Sequence, residues 1–307
     1  MNGFDSIVLI GYGAPDKAED VPEFLRMVSK GFSIPETRIK EVESHYAEVG
    51  GGSPLNALTQ RQGEAMRKFL KEQGVDLPVY MAMRNWHPFT DDTIAEMSRR
   101  GHGKCAALIM ALHQCDTSWE RYQREVEEAK ANAGTDIEFL YCPPLFDNPL
   151  FIENCADRVS EQIAGLPGGR LSDSAKLIFT AHSIPLEMPG SDTYEKQFRK
   201  TCELTARKLG ADDFLVAWQS RSGSPAQKWF EPDICDVIEG FDKEVSHIVV
   251  QPIGFVCDHV EVLYDIGVEA AHAARKAGIE MLVAKTVNDD AKFARAMGEA
   301  VLALIGK

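Results

Sequence analysis

Eight short apolar runs, each breaking into a glycine, proline or polar turn, constrain this chain more than anything else in it. They lie at 7–10, 79–83, 106–112, 137–141, 177–180, 214–218, 248–250 and 279–285. Runs of this length read as strands buried on both faces, and strands alternating with helices build parallel sheets. The spacing predicts helices over 19–30, 55–73, 118–132 and 289–305. A proline-rich joint at 142–149 separates two rounds of four strands. The expected fold is a doubly wound α/β protein of two similar halves. The first domain spans 1–143, the second 144–287, and the closing helix at 288–307 packs on the first.

Chemistry-bearing residues recur where these strands end. Tyr12, Arg84, Trp86, His87, His113, His182, Gln219, Arg221 and Glu261 all follow a predicted strand. In open α/β sheets that edge is where ligands bind. One such histidine is more often structural; recurrence in both halves suggests a cleft between two facing domains. The loop Gly11-Tyr12-Gly13-Ala14-Pro15 lacks the G-x-G-x-x-G pattern, since Asp16 follows Pro15, so no nucleotide site is expected. Tyr12 between two glycines reads equally as a ligand-facing or a packed ring. Three glycines at 50–52 admit a flat ligand or another backbone at close range. Ser53 is a good N-cap and Pro54 a good first helical residue.

The stretch 252–270 is the most unusual. Glu261, Asp265 and Glu269 recur every four residues beside an apolar stripe of Val260, Leu263, Tyr264 and Ile266. Carboxylates so spaced line one helix face and repel one another. Such a row suits a hydrated cation; it equally describes a solvated helix face. His182 with Glu261 pairs an imidazole with a carboxylate, which suits a borderline divalent metal such as Fe²⁺. Two groups are too few for a closed structural site. They fit a metal in transit, or a base that takes protons.

Composition excludes several classes. Lys and Arg number 33 against 47 Asp and Glu, a net charge of −14, which argues against nucleic acid and anionic membrane surfaces. No apolar run can span a bilayer, and the first residues lack the basic start of a signal peptide. The seven cysteines are scattered without a C-x-x-C pair, as in a reducing compartment. A cytoplasmic location is expected.

At this point the motifs carry a resemblance. Phe179-Thr180-Ala181-His182-Ser183-Ile184-Pro185 resembles the F-x-A-H-S-[IL]-P motif of ferrochelatases. The run from Pro252 through Glu261 to Asp265 resembles their P-[IV]-G-F-V-x-D-H-x-E-V-[LI]-Y-D signature. His45-Tyr46 with Gly51-Gly52-Ser53-Pro54, Trp218-Gln219-Ser220-Arg221, and Trp229-Phe230-Glu231-Pro232 match further blocks. Gly11 to Pro15 and Arg84-Asn85-Trp86-His87-Pro88 look most like the bacterial coproporphyrin branch.

The resemblance implies two Rossmann-like domains around a porphyrin cleft, and a lyase of haem biosynthesis that inserts Fe²⁺ with release of two protons. Coproporphyrin III is the expected substrate, giving coprohaem. Protoporphyrin IX is the alternative, and a non-catalytic haem or porphyrin carrier the alternative of another class. His182 and Glu261 match the family's inner catalytic pair, one metal ligand and one proton acceptor, in either order. Asp265 and Glu269 match an acidic ridge that also handles metal. Tyr12, Lys30, His45, Ser53, Arg84, Asn85, Trp86 and Tyr122 match or neighbour porphyrin-binding positions. The chain departs from the pattern at Ser29-Lys30, where a basic pair is common, at His45, where arginine is frequent, and at Asn85, where some members have histidine. Iron is expected as substrate, with no iron–sulfur cluster, since the last cysteine is Cys257. The expected partners are porphyrin and ferrous iron, with the chain a monomer in transient contact with neighbouring haem-pathway enzymes.

Overall fold

Two strands buried along nearly their whole length organise the chain. The computed structural model describes residues 3–30, 35–222 and 226–307. In it, β1 (Ser6–Gly11) is buried at every residue, and β5 (Ala175–His182) at six of its eight. A strand without a polar face has to be covered by helices on both sides. Each of these two becomes a centre of a parallel four-stranded sheet.

The first sheet has the order β2-β1-β3-β4, with β2 at Val79–Met83, β3 at Lys104–Ile109 and β4 at Glu138–Tyr141. The second repeats it as β6-β5-β7-β8, with β6 at Leu215–Gln219, β7 at His247–Gln251 and β8 at Glu280–Val283. All pairings are parallel. The expected α/β class, two four-stranded parallel sheets flanked by helices, is what is observed. In both sheets the first strand has its successor on one side and the third strand on the other. That reversal opens a crevice at the carboxyl ends of β1 and β5, where Tyr12 and His182 stand.

Ten α-helices are described: α1 (Val21–Val28), α2 (Glu36–Glu48), α3 (Leu55–Glu72), α4 (Thr90–Arg99), α5 (Arg121–Ala133), α6 (Pro149–Ile163), α7 (Ser191–Leu209), α8 (Ile234–Glu239), α9 (Ala271–Ala277) and α10 (Ala291–Ile305). None of the described helices is long and apolar enough to cross a membrane. The chain folds as two compact units. One contains Met1–Ala111, Thr117–Leu145 and Asn288–Lys307, the other Leu112–Asp116 and Phe146–Val287. In the first, α10 packs on α3, and Gln62 donates to the Asn288 carbonyl at 2.8 Å. The division falls two residues after the expected boundary at 143, and the short segment at 112–116 lies with the second unit. Its bonds explain that: His113 Nε2 is 3.1 Å from Thr201 Oγ1, the Gln114 N–H donates to Gln197, and the Asp116 N–H donates to the Pro189 carbonyl.

Three local expectations need correction, and one helix was not expected. Helix α2, which carries His45, has no apolar stripe to announce it; of its residues only Tyr46 is buried. The helix expected at 19–30 is a 3₁₀ turn (Ala18–Asp20) followed by α1, because Pro22 sits at a helix start. Ser53 is not the N-cap of α3. The Pro54 carbonyl accepts the first helical bond, from the Leu58 N–H at 2.9 Å, and Ser53 Oγ lies 3.4 Å from the Leu55 nitrogen. The acid-bearing stretch is not an α-helix throughout: after Glu261 it runs as a π-helix, Val262–Ala270, whose characteristic bond reaches back five residues, although the Leu263 N–H still reaches back four, to the His259 carbonyl at 2.8 Å.

Of the glycines 50–52, Gly52 is packed directly against another stretch of backbone, whereas a Cβ on Gly50 would meet nothing within 4 Å. A Cβ on Gly52 would lie 2.3 Å from the Asp16 carbonyl oxygen. Gly254 is as tightly held, since a Cβ there would lie 2.4 Å from the Ala181 Cβ and 2.7 Å from its Cα. Neither neighbour is a flexible side-chain end. Gly254→Ala should therefore force β5 to shift beside His182 and cost about 1–3 kcal/mol, as overpacking does. Chemical denaturation of the variant against wild type measures it; an unchanged midpoint would show that the loop yields freely.

Candidate active site

The carboxyl end of β5 presents His182 with its backbone fixed from two sides. The Tyr194 hydroxyl of α7 donates to the His182 carbonyl at 3.0 Å, and the Ser183 N–H donates to the Gln219 carbonyl at 2.8 Å. The imidazole is fixed as well: Nδ1 donates to the Ser183 carbonyl. A carbonyl can only accept, so Nδ1 carries the hydrogen, and in the neutral ring the lone pair is on Nε2. Nε2 points toward Glu261, 3.9 Å from its Oε1. The His182 side chain is 28% exposed and that of Glu261 41%, so a ligand can reach both.

Glu261 stands between two imidazoles. His259 Nε2 is 3.3 Å from Glu261 Oε2, and its Nδ1 is 3.1 Å from the Cys257 carbonyl. Both neighbours accept, so the imidazolium form of His259, with both ring nitrogens donating, is the one that satisfies them together. Burial works against that charge, but the hydrogen bond and charge of Glu261 outweigh it and raise the His259 pKa. The converse holds for the carboxylate. Burial alone would push Glu261 up; the positive charge of His182 in its protonated form, and then the hydrogen bond and charge of His259, instead hold it down at about 2. Sequence reasoning placed His259 in a motif but gave it no role. The H-x-E spacing was the available signal: two residues in a loop before a helix can turn their side chains toward each other.

Glu261 leads into the π-helix, where the acids separate by environment. The Asp265 carboxylate accepts from the Ser220 hydroxyl. Burial first, then the charge of Glu261, raises Asp265 to about 7, with Glu269 adding to the rise. Glu269 is exposed. The solvated-face reading therefore fits Glu269 and fails for Asp265. Ser220 holds its bond from a left-handed backbone, at φ 63°, a conformation uncommon outside glycine.

The remaining predicted residues belong to the first unit. Tyr12 is 47% exposed, and its carbonyl accepts from the Asn85 N–H at 2.8 Å, so these two are brought together. The amide nitrogen of Asn85 is buried with no hydrogen-bond partner among the described residues. Arg84 is tied to Glu125 at 2.9 Å. A ligand carboxylate would have to displace that partner. Trp86 is buried against Phe24, and Tyr122 is part of the core beneath α5. Ser53 is buried with its N–H on the Pro15 carbonyl at 2.8 Å. His45 is half-buried on α2, where burial and then Arg38 lower its pKa. Lys30 is exposed just beyond α1. In the second unit His113 is a core histidine, which burial lowers to about 3.

Among the described residues, no three His, Cys, Asp or Glu side chains converge as a metal site. His182 Nε2 and Glu261 Oε1 form an open pair that can offer two ligands, or one ligand and one proton acceptor.

The ferrochelatase family model matches residues 5–304. The chain is 36% identical to the ferrochelatase of Rhodopirellula baltica, over 99% of this chain and 87% of that one. It is 37% identical to the coproporphyrin III ferrochelatase of Mycolicibacterium smegmatis, over 95% of this chain and 87% of that one. Among solved structures it is similar to the sirohydrochlorin chelatase SirB of Bacillus subtilis subspecies spizizenii in complex with cobalt. The TM-score is 0.59 at 10% identity, over 97% of this chain and 94% of that one. CbiX, the terminal enzyme of sirohaem biosynthesis in denitrifying bacteria, gives 0.55 at 13% identity, over 97% and 98%. These two likenesses bear on the fold alone.

The Asp265 environment has a measurable consequence. Its folded pKa, about 7, lies above the unfolded value near 3.8. Between those values the folded state binds more protons, so this group's contribution to stability falls as pH rises through the window. Asp265→Asn should raise the melting temperature at about pH 8 and leave it unchanged near pH 3.5, below both values. A gain of equal size at both pH values would show that the carboxyl is not raised.

Proposed function

This chain belongs to the ferrochelatase family, and from that premise we propose that it inserts Fe²⁺ into coproporphyrin III and releases the two pyrrole protons. The observation that carries the reading is the His182 tautomer. Its Nδ1–H is held by a carbonyl, so the Nε2 lone pair faces the ligand side, 3.9 Å from a carboxylate. The two groups then take different roles. Glu261, held down at about 2, is a poor base at neutral pH and a standing negative charge for Fe²⁺. His182 in its neutral form has the lone pair to accept a pyrrole proton, and the imidazolium so formed lies beside the Glu261 carboxylate, 3.9 Å from Oε1. Asp265, near 7, is matched to passing protons onward, because a relay works best with a pKa near the working pH.

The coproporphyrin assignment is supported by the names of several relatives at 35–37% identity. A porphyrin with four propionates needs cationic or hydrogen-bonding partners. Lys30 and the unpartnered amide of Asn85 are suited to that, and Arg84 would exchange Glu125 for a propionate. A non-catalytic haem carrier needs an axial ligand, but has no use for a carboxylate kept ionised beside it. Anaerobic incubation with Fe²⁺ and either coproporphyrin III or protoporphyrin IX, followed through the Soret band, tests the reading. Metallation of protoporphyrin alone would change the substrate, and metallation of neither would overturn the enzyme.

His182→Ala should cut metal insertion by roughly two to four powers of ten while porphyrin binding, followed by fluorescence quenching, holds. Near-normal turnover would make His182 structural. The acidic row should act through charge on a hydrated cation, because tight sites would trap iron. Asp265→Asn with Glu269→Gln should raise the apparent KM for Fe²⁺, leave that for porphyrin unchanged, and reduce the salt sensitivity of the rate, since exposed charges are screened beyond about 8–10 Å at ordinary ionic strength. A double variant with wild-type iron dependence would return the row to a solvated face.

A further inference from the structure

One buried amide lies directly behind the His182–Glu261 pair. Gln219 is 1% exposed at the end of β6, in register with His182 on β5. A glutamine without solvent must satisfy its amide inside the protein. Its Oε1 accepts from the Thr180 hydroxyl at 2.8 Å, and its Nε2 donates to the Glu261 carbonyl at 3.3 Å. The amide orientation follows from its partners. The Glu261 carbonyl can only accept, so the NH₂ must face it and the oxygen must face Thr180. The Gln219 backbone carbonyl meanwhile accepts from the Ser183 N–H at 2.8 Å, and Ser183 supplies the carbonyl that sets the His182 tautomer.

One residue thus braces both members of the pair, His182 through Ser183 and Glu261 through its own carbonyl. We propose that Gln219 is a positioning residue for metal insertion, with Thr180 fixing its amide: it sets the place of Glu261 relative to His182. This rests on the ferrochelatase reading of the same site. Thr180 is also fully buried, and its own carbonyl accepts the Gly254 N–H at 3.0 Å. The loop before Glu261, the strand that ends in His182 and the strand that ends in Gln219 are therefore bonded around a single side-chain bridge, Thr180 to Gln219. A bridge of this kind acts on geometry without touching substrate.

Gln219→Leu keeps most of the volume and removes both bonds. Thr180→Val leaves the glutamine in place and frees its amide to flip. Losing such a support characteristically costs roughly 10- to 100-fold in metal affinity or activity. Gln219→Leu should lower kcat by that factor with the KM for porphyrin unchanged, and Thr180→Val should do the same more weakly. The second readout is Co²⁺ affinity of the full chain, followed by visible absorption, in a cycle with Glu261→Gln. If Gln219 acts through Glu261, Gln219→Leu weakens Co²⁺ binding in the wild-type background and not in the Glu261→Gln background, because residues coupled through one contact are not additive. The inference is overturned if Gln219→Leu keeps its kcat, or if it weakens Co²⁺ equally in both backgrounds. Should Gln219→Leu fail to fold, Thr180→Val carries the same cycle with the same criteria. A wild-type chain that inserts no iron into any porphyrin would instead remove the reading beneath it.

Discussion

A carboxylate held between two imidazoles governs the electrostatics of the second unit. His182 and His259 flank Glu261 and favour its charged form, against the part of its surface that is buried. That charge raises the pKa of His259 and helps push Asp265 toward neutrality. Both shifts are upward and have a common source: the same carboxylate favours a proton on the imidazole and on the neighbouring carboxyl. Neutralising Glu261 would release His259 to a lower pKa and Asp265 to a more ordinary one. The geometry beneath it is correspondingly well braced: Tyr194, Ser183, Gln219 and the Cys257 carbonyl all fix groups that face the carboxylate. An ion of this kind loses hydration on entering the protein, and only close, directed partners offset that.

The strands were legible because they are apolar and short. The run at 79–83 coincides with β2, and the others differ by up to three residues at an end. What the pattern hid has physical reasons. Helix α2 buries one residue, so no periodicity marks it. The π-helix differs from an α-helix by one residue in its hydrogen bonding, and four-residue spacing of acids accommodates either. Strand-end aromatics look ligand-facing in a sequence, because burial is a tertiary property. Tyr12 is exposed, whereas Trp86 and Tyr122 are packed. The roles of His259 and Ser220 depend on a loop turning back on Glu261 and on a left-handed residue facing Asp265, neither of which spacing reveals.

The same strand order supports different chemistry in the two units. After β1 the turn is Gly11-Tyr12-Gly13, and a Cβ on Gly13 would lie 2.8 Å from the Met83 Cβ and 2.9 Å from the Trp86 nitrogen. The glycine there permits a close backbone approach, and an exposed ring results. After β5 the residue at the switch is a histidine with its backbone and ring both bonded. The topology supplies the crevice in each unit; side-chain support decides whether the residue placed there is a surface for contact or a group with one fixed lone pair.

On the proposed reading, the grading of the acids resolves a conflict between binding iron and releasing it. Three ionised carboxylates in a row would attract Fe²⁺ strongly and hold it at every step. The π-helix instead offers an exposed Glu269, an Asp265 that shares a proton near neutral pH, and an ionised Glu261 beside His182. A cation entering this row meets an exposed carboxyl group at the surface and an ionised one at the inner end. Between them lies a group that can give up its proton as the ion approaches and take one back when it has passed. Proton and metal then move in opposite directions along one helix, and neither has to be bound tightly on the way. The acid whose pKa is raised to about 7 is thus the one in the middle, where exchange requires it.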